Sequence, residues 1–323
     1  MTRLSPIELL PTSDGQQLQI SLDSETWQAR RQTSAAGETL LDWEGPELDA
    51  DTSRRILDTL FHTLDTPRLE LLGRASAAFD TDHPAWSRGE GRAALERSAF
   101  YQIREHWLDS ALWALIPETI VDTDGVSHPR RPAVGDQILY RRFAPSLGKT
   151  ITLRQATVEE DGERFHRWQN DPRVAKFWEY PWSRDRLDAM LEDRRADPHS
   201  LPLILEADGE AGGYFETYYV AEDRLGPYCK AGPFDQGMHV LVGERRFLGA
   251  QQTNLWLNAV CHFLFLTEPR TQALWGEPRA DNQAMLRYLE TTTWENHGEF
   301  DFPHKRSALL CNPRQRFFAN TRL

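Results

Sequence analysis

The residues best placed to do chemistry lie in one run, Met238-His-Val-Leu-Val-Gly-Glu-Arg-Arg-Phe-Leu-Gly-Ala-Gln251. An apolar strand passes through a turn holding Arg245, Arg246 and Gly249 and enters a helix at Ala250. Unpaired N–H groups in a first helical turn, with the positive end of the helix dipole, favour a pyrophosphate, and the two arginines can neutralise it from the side. A solvated turn before a helix has the same composition, so the run by itself leaves both readings open. Side chains alternate along a strand, which puts His239 and Leu241 on one face and Met238, Val240 and Val242 on the other. His239 is then either a group that orients an acceptor or relays a proton, or a hydrogen-bonded core histidine. Tyr214, Glu216 and Tyr218 are two apart and share a strand face. A carboxylate between rings suits a cationic amine, and a surface strand with tyrosines is the competing description. In the turn from Glu277 to Asn282, Asp281 stands where a helix opens and is explained by N-capping as well as by catalysis. Cys261-His262 lies inside an apolar helical stretch without ligand spacing, and we read it as packing.

The elements that must position these groups follow from periodicity. Gln17 to Leu22 alternates as a half-buried strand, and Ile56, Leu57, Leu60, Phe61 and Leu64 recur at helical spacing behind Asp51, Thr52 and Ser53, with Pro67 as a stop. A second helix is expected from Ala93 to Leu115, ended by Pro117, and Asp122 to Asp136 reads as a connecting loop rich in Gly and Pro. We therefore divide the chain into an N-terminal α/β extension, residues 1–136, and a second domain, residues 137–323. In the latter, strands are expected at 149–157, 201–207, 213–220, 238–242, 272–276, 295–301 and 305–311. Helices are expected at 161–170, 187–196, 250–266 and 281–291. The alternation describes a mixed α/β sheet.

The 323 residues carry 37 Lys and Arg against 49 Asp and Glu, a net charge of −12. An acidic chain repels phosphate backbones and anionic lipid, so nucleic acid and membrane surfaces are poor partners and a small molecule is the better expectation. Three cysteines, Cys229, Cys261 and Cys311, form no ligand pattern and fit a reducing compartment. The start, Met1 to Pro6, has no apolar run, and the apolar stretch from Leu255 to Leu266 is too short to span a bilayer. A cytoplasmic protein is expected.

Placed between a strand and a helix, Arg246-Phe-Leu-Gly-Ala-Gln resembles the acyl-CoA pyrophosphate loop of the GNAT superfamily, with Gln251 where Gly or Ala is usual. Further motifs are Phe165-His-Arg-Trp-Gln-Asn-Asp-Pro-Arg-Val-Ala-Lys-Phe-Trp178, Tyr214-Phe-Glu-Thr-Tyr-Tyr219, Asp235-Gln-Gly-Met-His239, Glu277-Pro-Arg-Ala-Asp-Asn282 and His304-Lys305. Together, over residues 137 to 318, they resemble the siderophore-biosynthesis branch of that superfamily, the aerobactin-type hydroxylysine acetyltransferases and mycobactin-type lysine acyltransferases. The resemblance implies a GNAT fold in the C-terminal half and an acyl-CoA co-substrate, acetyl or succinyl, with no metal. It implies acylation of the hydroxylamine nitrogen of a hydroxylated diamine or hydroxylysine to give a hydroxamate. Pantetheine would pair with the backbone of Val240, Leu241 and Val242, and Arg245, Arg246, Gly249 and Ala250 would hold the pyrophosphate. Asn282 would lie near the thioester, and His239 and Asp281 would be catalytic. His166, Trp178, Tyr214, Glu216, Tyr218 and Asp235 would wall the acceptor pocket. Two alternatives stay open: a GNAT enzyme of another primary amine, such as a polyamine or aminoglycoside, and a silent acyl-CoA-binding subunit with its N-terminal part as a platform for a homodimer.

Overall fold

The computed structural model describes residues 6–12, 15–112 and 119–323. Contacts divide the chain into two compact units, one of residues up to His106 with 143–149 and 322–323, the other of 107–142 and 150–321. Residues 107–136, expected with the first part, thus group with the second.

The first unit holds β1 (Glu8–Pro11), β2 (Gln17–Leu22), β3 (Glu25–Thr33), β4 (Thr39–Trp43), α1 (Ala50–Leu64), β5 (Arg68–Leu72), α2 (Ala75–Ala78), β6 (Ser87–Gly89), β7 (Arg92–Glu96) and α3 (Arg97–Phe100). Its sheet has the order β1-β2-β3-β4-β5-β7-β6. Asp49 caps α1 through the Thr52 amide, Asp65 ends it in the left-handed region, and Ile56, Leu57, Leu60 and Phe61 form its buried face. The long helix expected from Ala93 does not form. Arg92–Glu96 pairs with β5 instead, and only short helical turns follow up to Leu112. Ala93 and Leu95 are buried as strand residues, so the tertiary pairing overrides the helical spacing there. Leu115 and Pro117 lie outside the described residues.

The second unit opens with a hairpin where a loop was expected, β8 (Ile120–Thr123) and β9 (Val126–Pro129), turned at Asp124-Gly125 with φ of 53° and 82°. Then come β10 (Ile138–Ala144), β11 (Lys149–Gln155), α4 (Val158–Gln169), α5 (Pro172–Trp178), α6 (Arg184–Ala196), β12 (Ser200–Ala207), β13 (Glu210–Tyr219) and β14 (Gln236–Val242). The unit ends with α7 (Ala250–Thr267), β15 (Ala273–Gly276), α8 (Gln283–Glu290), β16 (Glu295–Asp301), β17 (Arg306–Pro313) and α9 (Arg314–Asn320). The sheet order is β10-β11-β12-β13-β14-β15-β17-β16, with β14 and β15 parallel across the α7 crossover. Among the described residues no helix is long and apolar enough to cross a membrane.

Each unit therefore runs a series of successive strands, four in the first and five in the second, then a crossover helix to a parallel strand and an antiparallel strand beyond it. They differ also in the pairing across the crossover. β4 and β5 pair over Thr39 to Asp42, whereas β14 pairs with β15 only at Gln236 and Gly237. Past Gly237 the two strands separate, and the sheet opens.

Candidate active site

The opening is built by the Asp235-Gln-Gly-Met-His run. Asp235 is buried, and its carboxylate accepts from the backbone N–H of Gly232, Gln272 and Ala273 and from Trp275 Nε1, which fastens the first residues of β14 to β15. Its oxygens are spent on structure rather than on an acceptor. Gly237 must be glycine, because a Cβ there would stand 2.5 Å from the Tyr218 ring. With β15 gone from the rest of the strand, its carbonyls find donors in α5: Trp178 Nε1 to Val240 O at 3.3 Å, and Arg173 Nη2 to Val242 O at 2.8 Å and Gly243 O at 3.1 Å. Asp171 caps α5 and Pro172 opens it, so the Phe165–Trp178 motif is the element that grips this strand.

A cavity of about 460 Å³ passes through the opening. Glu216, Tyr218, His239, Glu277 and Lys305 line it, together with Met238, Leu257, Met285 and Leu289. Glu216 and His239 are direct cross-strand partners and so project side by side. His239 Nδ1 lies 3.3 Å from Glu216 Oε1, and its Nε2 lies 3.0 Å from Glu277 Oε1, a residue just past the end of β15. The second oxygen of Glu277 accepts from Tyr218 Oη at 2.7 Å, and that of Glu216 accepts from Tyr214 Oη at 3.1 Å and Arg194 Nε at 3.2 Å. Lys305 Nζ donates to the Glu277 carbonyl at 3.0 Å and stands 3.8 Å from its carboxylate.

Burial by itself would lower the His239 imidazole, but Glu277 and Glu216 outweigh it and lift the ring far above the usual histidine value. Only an imidazolium can donate from both nitrogens to two carboxylates. Burial pushes both carboxyls up, yet His239, with Arg194 on Glu216 and Lys305 on Glu277, holds each below the usual range. Two expectations change. His239 is already protonated and cannot accept a proton, and Glu216 is neutralised by His239 and Arg194 and is not available to a cationic amine. Glu216 is also buried rather than part of a surface strand.

Tyr218, Glu216, His239, Trp178, Val240 and Asn282 meet at this cavity. Tyr214 is fully buried beneath it, and His166 is half-buried on α4 away from it. Asn282, not Asp281, caps α8, through the Met285 amide at 3.3 Å. Asp281 is exposed, pairs with Arg279 at 3.1 Å and lies outside the cavity lining. The carboxylate that this turn delivers is Glu277, which precedes the proline. Arg194 and Lys305 are further groups that the sequence reading did not place. Lys305 sits in a motif already singled out, and nothing in the charge run around Arg194 distinguishes it. Cys261 and His262 are buried, and His262 Nδ1 lies 3.0 Å from Tyr140 Oη.

At the far end of the strand, Gly249 takes φ of 125°, a value L side chains avoid, with open space where a Cβ would be, and α7 begins at Ala250. Arg245 reaches Asp171 at 3.4 Å and Arg246 reaches Glu210 at 3.1 Å, both largely exposed at the mouth of the helix. Leu241 is buried, pairing with Tyr214, and Val242 pairs with Gly213.

A separated pair of strands, an anion-ready helix start and a cavity of titratable groups between them define an acyl-CoA-dependent N-acyltransferase. The acetyltransferase (GNAT) domain family matches residues 157–302. The chain is similar to a protein of Escherichia coli named N(6)-hydroxylysine O-acetyltransferase, 40% identical over 230 residues that cover 71% of this chain and 73% of that protein. It is also similar to a putative lysine N-acyltransferase of Schizosaccharomyces pombe, 36% identical over 71% of this chain and 69% of that protein. Among solved structures, an uncharacterized protein of Bacillus halodurans shares the fold with a TM-score of 0.53 and 23% identity, covering 57% of this chain and 97% of its own. The chain belongs to the GNAT acyltransferases, in the branch that holds the hydroxylysine acetyltransferases.

Proposed function

We propose that the protein transfers an acyl group from acyl-CoA to the hydroxylamine nitrogen of a hydroxylysine-type acceptor, forming the hydroxamate of a siderophore. The observation that carries this reading is the charge state of the cavity. His239 lies between Glu216 and Glu277, and Arg194 on the first and Lys305 and Arg224 on the second leave each of these carboxylates already paired with cations. An alkylamine arrives as a cation and must lose a proton to a strong base before it can attack. Neither the imidazolium nor carboxylates held below their usual range can take it. A hydroxylamine is mostly neutral near pH 7 and needs no such base. Attack forms the C–N bond, the C–S bond breaks to release the CoA thiolate, and the proton that attack makes acidic on nitrogen leaves with that thiolate as the thiol.

The strand edge supplies the rest. Val240 and Val242 turn their carbonyls to α5, and the N–H of a strand residue points to the same edge as its C=O. These amides suit pantetheine and the developing oxyanion, so rate enhancement is positioning plus preorganised electrostatics. The first turn of α7, Gly249, Ala250, Arg245 and Arg246 suit the pyrophosphate. Acetyl and succinyl donors both fit this scheme. We place the reaction in the cytoplasm, in keeping with three free thiols at Cys229, Cys261 and Cys311. The test is a pairwise comparison of N6-hydroxylysine with lysine at pH 7, following CoA release and the ferric hydroxamate colour. Hydroxylysine is expected to react with kcat/KM at least 100-fold above lysine. Equal turnover of the two would assign the site to ordinary amines.

A further inference from the structure

A second chamber of about 480 Å³ adjoins the cavity of His239. The two share a wall of Asp197, His199, Ser200, Tyr218 and Tyr219. In a chain of net charge −12, this chamber is lined by Arg130, Arg131, Arg195 and Arg270 with Asp197 and Glu268, while Glu222 and Asp136 meet Arg131 and Arg195 from outside that lining. Arg195 pairs with Asp136 and Arg270 with Glu268, whereas exposed Arg130 pairs with no carboxylate among the described residues. Arg131 lies flat on the Tyr219 ring, 3.3 Å from its centroid, and donates to Glu222. Its Nε is buried without a hydrogen-bond partner, and so is Nε2 of His199.

The donors of His128, His199 and Glu222 also come together as a cation site would need. They are already spent. His128 uses Nδ1 on the Pro129 carbonyl at 2.9 Å and Nε2 on Thr123 Oγ1 at 3.0 Å, and Glu222 gives one oxygen to Arg131 and the other to His199 Nδ1 at 2.9 Å. What remains is the Arg131 Nε–H, a donor that a carboxylate would satisfy, and on the same Glu222 cluster the unpartnered Nε2 of His199.

We propose that this chamber binds a carboxylate at the end of the acceptor remote from its hydroxylamine, held by Arg131 with Arg130 and His199, so that the acceptor is an amino acid and not a diamine. The assignment rests on the hydroxamate reading above. Its reach is consistent with the fold. Ser200 pairs with Tyr218 and Tyr218 with Gly237, one two-residue step along β13 from the Glu216–His239 pair, or about 7 Å. Five bonds of about 1.5 Å join the side-chain nitrogen of lysine to its α-carbon, about 6 Å when extended. A lysine-length acceptor with its nitrogen at His239 brings its carboxylate to the shared wall.

The test compares N6-hydroxylysine with N-hydroxycadaverine, which differs only in lacking the carboxylate, in the full-length protein with acetyl-CoA. Loss of charge-assisted hydrogen bonds to a carboxylate predicts kcat/KM about 10- to 100-fold higher for hydroxylysine. In Arg131→Gln and in Arg130→Gln the ratio should fall towards one through the KM of hydroxylysine, and Arg131→Lys should restore part of it. The ratio is taken within one preparation, so loss of folded protein cancels. A parent ratio near one, or a ratio unmoved in both glutamine variants, would overturn the assignment. If neither hydroxylamine is acylated, the hydroxamate reading fails instead. Calorimetry of L-lysine against cadaverine then still decides the carboxylate site, with tighter lysine binding that is lost in Arg131→Gln supporting it and equal binding refuting it.

Discussion

Replacing Glu277 with Gln keeps the shape of a side chain that is 1% exposed and removes only its charge, so it isolates the pairing with His239. In the parent, the two carboxylates overcome burial and raise His239 from 6.5 to about 10, while Glu277 is held near 2. The sign follows for each group. A raised histidine stabilises the fold fully below its unfolded value of about 6.5 and loses that contribution as pH rises through about 10. A depressed carboxylate stabilises fully above its unfolded value of about 4.5 and loses that contribution as pH falls through about 2. The pairing is therefore worth most between about pH 4.5 and 6.5. Removing one member of a buried pair costs about 3–5 kcal/mol, and the retained amide oxygen and Glu216 bring this to about 2–3 kcal/mol. At about 2–4 °C per kcal/mol for a unit of this size, the variant should melt about 5–10 °C lower at pH 6. Above pH 7 the gap should narrow. The parent goes on losing about 1.4 kcal/mol per pH unit up to its histidine value, whereas in the variant His239 releases its proton earlier and the loss stops. Melting curves from pH 4 to 10, beside a ring-proton titration of His239 by NMR, read this directly. A gap of equal size at pH 6 and pH 9, or a parent His239 that titrates near 6.5, would refute the imidazolium bridge.

Tyr218→Phe removes the 2.7 Å donor to Glu277, and Gly237→Ala displaces the same ring, so steady-state kinetics should show kcat about 10-fold lower in both, with acyl-CoA binding retained. Arg246→Glu reverses a charge at the start of α7 beside Glu210, and calorimetry should find acyl-CoA affinity about 10-fold weaker with the acceptor KM unchanged. Asp281→Ala removes an exposed carboxylate that lies outside the cavity lining, and kcat/KM should stay within about 2-fold of the parent. A larger loss would return that residue to the site.

The second unit was legible because its elements bury whole faces. α7 is mostly apolar from Leu255 to Leu266, and β12 and β13 are rich in aliphatic and aromatic residues and buried along most of their length. The stretch from Ala93 to Leu115 was not, since its spacing fits a helix while its first residues are claimed by pairing with β5, a long-range contact that no local period reports. Within the site, His239 and Glu216 were legible from their alternation on two strands. Their charge states were not, because these depend on Glu277 and Arg194, which arrive from β15 and α6. A carboxylate immediately past a strand end and before a proline is a weak sign in a sequence. It becomes decisive only when the neighbouring strand diverges and leaves it facing a histidine.

That divergence also explains how a cavity comes to lie in the second sheet. In the first unit β4 and β5 stay paired through Asp42 and Leu72, and the line where a ligand could enter is filled by backbone hydrogen bonds. In the second, Asp235 holds β14 to β15 at their first residues, and Trp178 and Arg173 take the carbonyls beyond, so the strands can part with those carbonyls satisfied. His239 stands at the fork, with Glu216 reaching it from β13 and Glu277 from the end of β15. The imidazolium thus ties together the two edges that the opening separates. In the reaction proposed above, that charge favours an acceptor that arrives neutral, and the same two contacts hold the edges between which it would meet the thioester.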